Sequence, residues 1–134
     1  MLIASISFAK PFISQRLKYY LDRYNSDEII STIVYFHDQV DLDELEEFFK
    51  QNNVNAAQRA YLTITKLQEK SKQYNYFEEA FIKQIVIENS EYFNIQKFWI
   101  FNGYQIETKK KNIEKLLNFN EIAYIDLDAP IFRD

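Results

Sequence analysis

The sequence predicts an α+β domain in which strands and helices follow one another in the order β-α-β-β-α-β. The segment Ile29 to Phe36 is an uninterrupted run of β-branched and aromatic residues, which is typical of a buried strand. A long stretch of helical periodicity follows it. The only glycine, Gly103, then stands between two short strand-like segments. Both patterns lie in one chain of 134 residues, a length that suits a single domain.

Composition excludes several kinds of site. The chain contains no Cys, one His and one Gly. Disulfides, thiolate zinc sites and cysteine nucleophiles are therefore impossible, and one His cannot supply the common multi-histidine metal sites. One Gly is also too few for a Walker loop or a G-x-G-x-x-G dinucleotide loop. We expect no cofactor and no metal.

Charge and hydropathy argue against nucleic acid and membranes as partners. Sixteen Lys and Arg against 20 Asp and Glu give a net charge of −4, which repels polyanions. We expect the longest basic run, Lys109 to Lys111, in a solvated turn between a strand and a helix. No basic aromatic RNA-binding motif is present. No segment approaches the roughly 18 apolar residues of a membrane helix.

Residues 1–25 form an N-terminal segment with a helix. Met1 to Ala9 is apolar and ends in Ser7-Phe8-Ala9, the small-x-small form of a signal-peptide cleavage site, but it lacks a basic start. It is either a signal-peptide remnant, which predicts a secreted, periplasmic or extracellular protein, or an ordinary apolar lead-in. Behind an N-cap at Ser14, apolar residues repeat with helical spacing at Leu17, Tyr20, Leu21 and Tyr24.

The residues after the first strand predict two or three helices. Asp41 and Glu44 form a capping box before a short helix that ends near Asn52. A longer helix runs from about Asn55 to Lys72, with one apolar face made by Ala57, Ala60, Tyr61, Ile64 and Leu67. The pattern resumes at Phe77, so the helix either continues or restarts after a kink.

The second half of the chain predicts a hairpin, a helix and a last strand. Lys97 to Asn102 and Tyr104 to Thr108 are strand-like and flank Asn102-Gly103, a strong hairpin signal. Asn112 is expected to cap the helix, and Glu121 to Asp128 is the last strand. The order matches a ferredoxin-like antiparallel sheet with helices on one face and an extended C-terminal tail.

Such a sheet leaves its other face open to solvent or to a partner. Alternation along Lys97 to Asn102 places Phe98 and Ile100 on one side, and Trp99 and Phe101 on the other. Both sides of this strand are therefore apolar. An exposed aromatic sheet face is typical of a binding surface.

Four segments stand in a fixed order along the chain: VYFHDQVDL at 34–42, the helix from Arg59 to Leu67, FWIFNGYQIET at 98–108, and NIEKLLNFNEIAYIDLD at 112–128. As an ordered set they resemble the propeptides, or prodomains, of secreted subtilisin-like serine proteases, which inhibit their own enzyme. The resemblance covers most of the chain after Ile29. It implies the same ferredoxin-like fold for an inhibitor domain over 26–128.

The resemblance also implies the contacts with the protease. The open sheet face would pack on two surface helices of the enzyme through Trp99, Phe101, Gln105 and Glu107. Two acids at the end of the last strand, Asp126 and Asp128, would cap the N-termini of those helices. The extended tail, residues 129–134, would lie in the active-site cleft with the P4 to P1 residues Ile131, Phe132, Arg133 and Asp134. Asp134 departs from the apolar or aromatic P1 residues that such enzymes more often accept.

The function implied is that of an inhibitor and folding assistant, or intramolecular chaperone, of a subtilisin-like protease, and not that of an enzyme. One alternative is a free-standing ferredoxin-like regulatory module that dimerises through its open face. Another is an enzyme that uses His37 as a base or carboxylates for acid–base or magnesium chemistry. Those carboxylates are Glu44, Glu46 and Glu47, the pair Glu78 and Glu79, and the pair Asp126 and Asp128.

Overall fold

In the computed structural model, residues 10–86 and 93–128 are described. Within these ranges one mixed sheet has the strand order β1-β5-β2-β4-β3. Its strands are β1 (Phe12–Ile13), β2 (Ile29–Phe36), β3 (Phe93–Phe98), β4 (Gly103–Lys109) and β5 (Ile122–Leu127). β1 pairs parallel with β5, whereas the other neighbours are antiparallel. The α+β class is confirmed.

The described helices are α1 (Gln15–Arg23), α2 (Leu42–Gln51), α3 (Ala56–Lys72), α4 (Asn75–Val86) and α5 (Lys110–Lys115). The predicted caps of α1 and α2 are confirmed, because Ser14 and Asp41 each accept the backbone N–H three residues later. A turn at residues 73–74 separates α3 from α4, so the helical pattern restarts.

The predicted cap of α5 at Asn112 is wrong. The helix begins two residues earlier, at Lys110. Its first N–H groups are satisfied by the chain before β2: Lys110 N–H donates to the Glu28 carbonyl at 2.9 Å, and Lys111 N–H donates to the Ser26 carbonyl at 3.3 Å. Asn112 is instead fully buried within the helix, where its Nδ2 donates to Thr108 Oγ1.

The predicted hairpin strands are also shifted. Phe98 pairs directly with Gly103, so residues 99–102 form a four-residue turn and only residues 97 and 98 of the predicted strand 97–102 lie in β3. Asn102 causes the difference, because its side chain is committed to other parts of the fold. Its Nδ2 donates to the Asp38 carbonyl at 2.9 Å, and its Oδ1 accepts from Lys97 Nζ at 2.8 Å.

Gly103 is needed for a close approach of two strands. A Cβ there would overlap the Val34 carbonyl oxygen and lie 2.6 Å from the Phe101 ring. The backbone of Gly103 is not in the left-handed region. A residue without a Cβ is therefore required because β4 begins against β2, not because the turn demands a positive φ.

The core covers one face of the sheet. Along β2, Ile30, Thr32, Val34 and Phe36 are buried, and they alternate with partly or more exposed residues. Helices α1, α4 and α5 supply most of the remaining core: Leu17, Leu21, Phe77, Phe81, Ile85 and Ile113. The N-terminal helix thus shares the core of the sheet, and the opposite face of β2 is left outside it.

We predict that Gly103→Ala lowers the free energy of unfolding by about 2–4 kcal/mol, since the added methyl group collides with backbone that cannot move without separating β2 from β4. Urea denaturation measures the change. Ile100→Ala in the same turn is the control, because Ile100 is 69% exposed and its truncation should cost less than about 0.5 kcal/mol. Equal costs for the two variants would contradict this role of Gly103.

Candidate functional site

The side of the sheet opposite the core is the candidate functional site, here called the open face. Strand registers assign its members: odd-numbered residues of β2 stand beside odd-numbered residues of β4 and even-numbered residues of β3 and β5. The parallel pairing of Phe12 with Tyr124 adds Phe12 at the edge. The open face thus contains Phe12, Ser31, Ile33, Tyr35, Asn94, Gln96, Phe98, Gln105, Glu107, Tyr124 and Asp126.

A continuous line of aromatic rings crosses one end of this face. Ring centroids lie 5.6 Å apart for Phe12 and Tyr124, 5.7 Å for Tyr124 and Tyr35, 4.7 Å for Tyr35 and Phe101, and 5.0 Å for Phe101 and Phe98. These are ordinary packing distances for aromatic pairs. The five rings form a row that runs from β1 at one edge of the sheet to β3 at the other, which we call the aromatic row.

The aromatic row is only partly shielded from water. Phe12 is 63% exposed, and the other four rings are half-buried. Phenylalanine and tyrosine provide large, stiff contact surfaces, and aromatic residues are enriched in the centres of protein interfaces. The arrangement therefore suits a flat apolar partner surface, and it is chemically suited to binding more than to catalysis.

The structure changes which residues of the FWIF segment lie together. Alternation predicted that Trp99 and Phe101 share a face, with Phe98 opposite; this is wrong, because the strand ends at Phe98 and the turn brings the Phe101 ring back onto Phe98. Trp99 and Ile100 lie in the turn instead, 41% and 69% exposed. Trp99 is thus beside the aromatic row rather than within it.

The other end of the open face is polar. Gln105 Nε2 donates to Ser31 Oγ at 2.9 Å and to Asp128 Oδ2 at 3.3 Å, and Ser31 Oγ donates to the same oxygen at 3.1 Å. Within the described ranges both side-chain hydrogen bonds of Asp128 fall on Oδ2. Glu107 lies opposite Ser31 in the β2–β4 register and is half-buried.

Asp126 is held by residues around α1. Arg16 grips it in a bidentate ion pair, with Nε to Oδ1 at 2.7 Å and Nη2 to Oδ2 at 2.9 Å. Ser14 Oγ and the backbone N–H of Leu127 also donate to Oδ1, at 2.6 and 2.7 Å. The hydrogen bonds from Arg16 are the main cause that lowers the pKa of Asp126 to about 2. Sequence reasoning missed Arg16, which stands 110 residues from its partner and has no local signal.

The two acids predicted as helix caps therefore differ. Asp126 already accepts four hydrogen bonds, so a partner helix could reach its carboxylate only by displacing Arg16 or Ser14. Asp128 has the less crowded carboxylate. The structure thus favours Asp128 as the cap, whereas Asp126 fastens α1 to β5.

A polar corner fixes the turn that supplies Phe101. Asp38 accepts hydrogen bonds from Lys70 Nζ and the Tyr74 hydroxyl, both at 2.9 Å, and the one from Lys70 is the largest cause that lowers the pKa of Asp38. Lys97 Nζ lies 4.4 Å from the centre of the Tyr104 ring. Burial lowers the pKa of Lys97 to about 8, while the ring favours its charged form. This corner ties α3 to the tip of the hairpin.

The residues proposed for catalysis do not form a site. The imidazole of His37 is exposed, and the backbone N–H of this residue donates to the Glu121 carbonyl. Among residues 10–86 and 93–128, no three His, Asp or Glu side chains are grouped to hold a metal ion. The proposed cleft residues Ile131, Phe132, Arg133 and Asp134, like residues 1–9, lie outside the described residues.

No family model, curated protein or solved structure matches this chain. In the described part of the chain, every helix is too short or too polar to cross a membrane.

We predict that Asp126→Asn destabilises the protein at neutral pH by about 1–2 kcal/mol, a range reduced for the exposed Arg16 partner. The pKa of Asp126 is lower in the folded than in the unfolded chain, so its stabilisation is present above about pH 4 and is lost as pH falls towards 2. Unfolding at pH 2, 3, 4 and 6 measures it.

The difference between the two proteins should disappear near pH 2. Asp43→Asn controls for the loss of one negative charge, because Asp43 lies on the exposed surface of α2. A difference for Asp126→Asn that stays constant down to pH 2 would contradict the ionic clamp.

Proposed function

We propose that this chain is the inhibitory propeptide of a subtilisin-like serine protease, or a free-standing inhibitor derived from one. The observation that carries the proposal is the aromatic row, which lies on the sheet face opposite the core. Segments 98–108 and 112–128, which resemble the propeptides, contribute three of its five rings. The proposal gives this apolar row a protein partner in place of water.

A ferredoxin-like topology is part of the proposal. In its support, β2 to β5 stand in the order β5-β2-β4-β3, with antiparallel neighbours and helices in the β2–β3 and β4–β5 connections. On this view β1 is an additional edge strand that extends the sheet beside β5. It also extends the aromatic row by one ring, that of Phe12.

The open face would bind surface helices of the protease. The aromatic row would bury its exposed edges against them, and Asp128 would accept unpaired N–H groups at the start of one helix. Such a cap contributes about 0.5–2 kcal/mol, from hydrogen bonding and from the helix dipole. Asp126 would act indirectly, by holding α1 and β1 in place.

The C-terminal tail would occupy the active-site cleft. β5 ends at Leu127, and Asp128 N–H still donates to the Ser31 carbonyl, so the chain leaves the sheet beside the acidic end of the open face. Residues 131–134 would add to the enzyme as a strand, with main-chain hydrogen bonds for affinity and Ile131 in an apolar S4 pocket. An aspartate at P1 implies an enzyme that accepts a small acidic residue there.

Binding of this kind inhibits without turnover and assists folding. An inhibitor that binds only the folded protease stabilises it by about 4 kcal/mol when its concentration is a thousand times Kd. The same free energy would favour folding of a protease joined to the chain. Since such enzymes are exported, the proposal includes a secreted or periplasmic location.

We predict that the purified chain inhibits a subtilisin-like protease from the same source, and that removal of residues 131–134 weakens inhibition at least about tenfold. The shortened chain should still bind, because the open face is intact. Peptide-substrate kinetics and calorimetry measure the two effects. The proposal is wrong if neither chain binds more tightly than an unrelated α+β domain.

A second prediction concerns the aromatic row itself. Phe12→Ser and Phe98→Ser, at its two ends, should each raise the inhibition constant about tenfold or more, as expected for aromatic residues at an interface. Tyr61→Ser is the matched control, since Tyr61 is a 70% exposed aromatic residue on α3. Equal inhibition by all three variants would exclude the open face as the binding surface.

A further inference from the structure

A second apolar surface lies on α3 and is not part of the open face. It consists of Ala57, Ala60, Tyr61 and Ile64, which share one side of the helix at i, i+3, i+4 and i+7 spacing; we call it the α3 stripe. Tyr61 is 70% exposed, Ile64 is 42% exposed, and both alanines are exposed. Such a pattern normally marks a packed helix face, yet the one buried residue of α3 is Ser71, near its C-terminus.

The α3 stripe is complementary to itself in shape. If two copies of α3 pack antiparallel about a two-fold axis between Ala60 and Tyr61, Ala57 of one copy faces Ile64 of the other, and Ala60 faces Tyr61. Every contact then joins a small residue to a large one. Facing alanines let two helices approach closely, and the larger side chains fill the space. A shift by one turn would place large residues opposite one another.

The charges on α2 and α3 are also complementary. Helix α3 carries Arg59, Lys66, Lys70 and Lys72 against Glu69, so two copies alone would repel each other. Helix α2 carries the opposite balance, with Asp43, Glu44, Glu46 and Glu47 against Lys50. In the antiparallel arrangement, the basic C-terminal half of α3 runs beside the tip of the partner's α2–α3 hairpin, where the acidic helix ends.

We propose that a second copy of this chain covers the α3 stripe, in an antiparallel two-fold interface centred between Ala60 and Tyr61. Such an interface is isologous, so one patch serves both subunits and the assembly stops at a dimer. None of its four residues belongs to the open face. The dimer therefore presents two open faces, and the inference does not depend on the proposed protease partner.

Sedimentation equilibrium of the full chain tests the dimer directly. We expect a concentration-dependent dimer that Tyr61→Glu converts to monomer, while circular dichroism of the variant is unchanged. Tyr19→Glu is the matched control, since Tyr19 is a 53% exposed tyrosine on α1, and it should remain dimeric. A monomeric wild-type chain at about 100 µM overturns the proposal. A dimer that survives Tyr61→Glu but is lost in Phe98→Ser also overturns it, because the interface is then the open face.

A pair of substitutions tests the register. Ala57→Ile places isoleucine opposite Ile64, and Ile64→Ala places alanine opposite Ala57, so each single variant should weaken dimerisation about tenfold. The double variant restores one large residue opposite one small residue, and its dissociation constant should return to within about threefold of wild type. A double variant as weak as the worse single variant contradicts the register.

Cross-linking provides an independent readout, because the chain has no native cysteine. A mixture of Ala57→Cys and Ile64→Cys chains should form a disulfide between unlike chains under mild oxidation. Either chain alone should not, since two identical positions lie seven residues, or ~10 Å, apart along the paired helices. Cross-links that form equally well in each single-variant sample refute the antiparallel arrangement.

Discussion

The contact between Gly103 and the Val34 carbonyl determines the geometry of the functional end of the sheet. Because position 103 has no Cβ, β4 begins directly against β2, and the preceding residue, Phe101, folds back onto Tyr35 and Phe98. Asn102 fixes the same corner to the Asp38 carbonyl. The middle of the aromatic row thus depends on one absent methyl group and one buried amide.

From this corner outwards, the two faces of the sheet have different roles. One face carries the hydrophobic core, whereas the other carries the aromatic row at one end and Gln105, Ser31 and Asp128 at the other. Helix α1 serves both faces, since Leu17 and Leu21 enter the core while Arg16 neutralises Asp126 at the edge of the open face. The α3 stripe is a separate apolar surface. A chain with two such surfaces and few groups suited to catalysis is adapted to binding other proteins.

Local signals predicted the elements that local interactions determine. The bounds of β2 follow from an uninterrupted β-branched run, and the caps at Ser14 and Asp41 depend on residues three positions away. The errors involve distant partners: Asn112 is not a cap because Glu28 and Ser26 satisfy the start of α5, and the hairpin turn lengthens because Asn102 bonds to residue 38. Arg16 was missed for the same reason. The α3 face was predicted correctly as apolar, but periodicity cannot say whether a face is covered.

The claim that the open face binds a protease is tested most directly by mapping the contact on the chain itself. Amide chemical shifts of the isotope-labelled protein can be followed while a subtilisin-like protease, inactivated at its nucleophilic serine, is added. We predict changes at Tyr35, Phe98, Gln105 and Tyr124, together with the C-terminal tail. Changes confined to the α2–α3 hairpin, or no changes at saturating protease, would contradict the account.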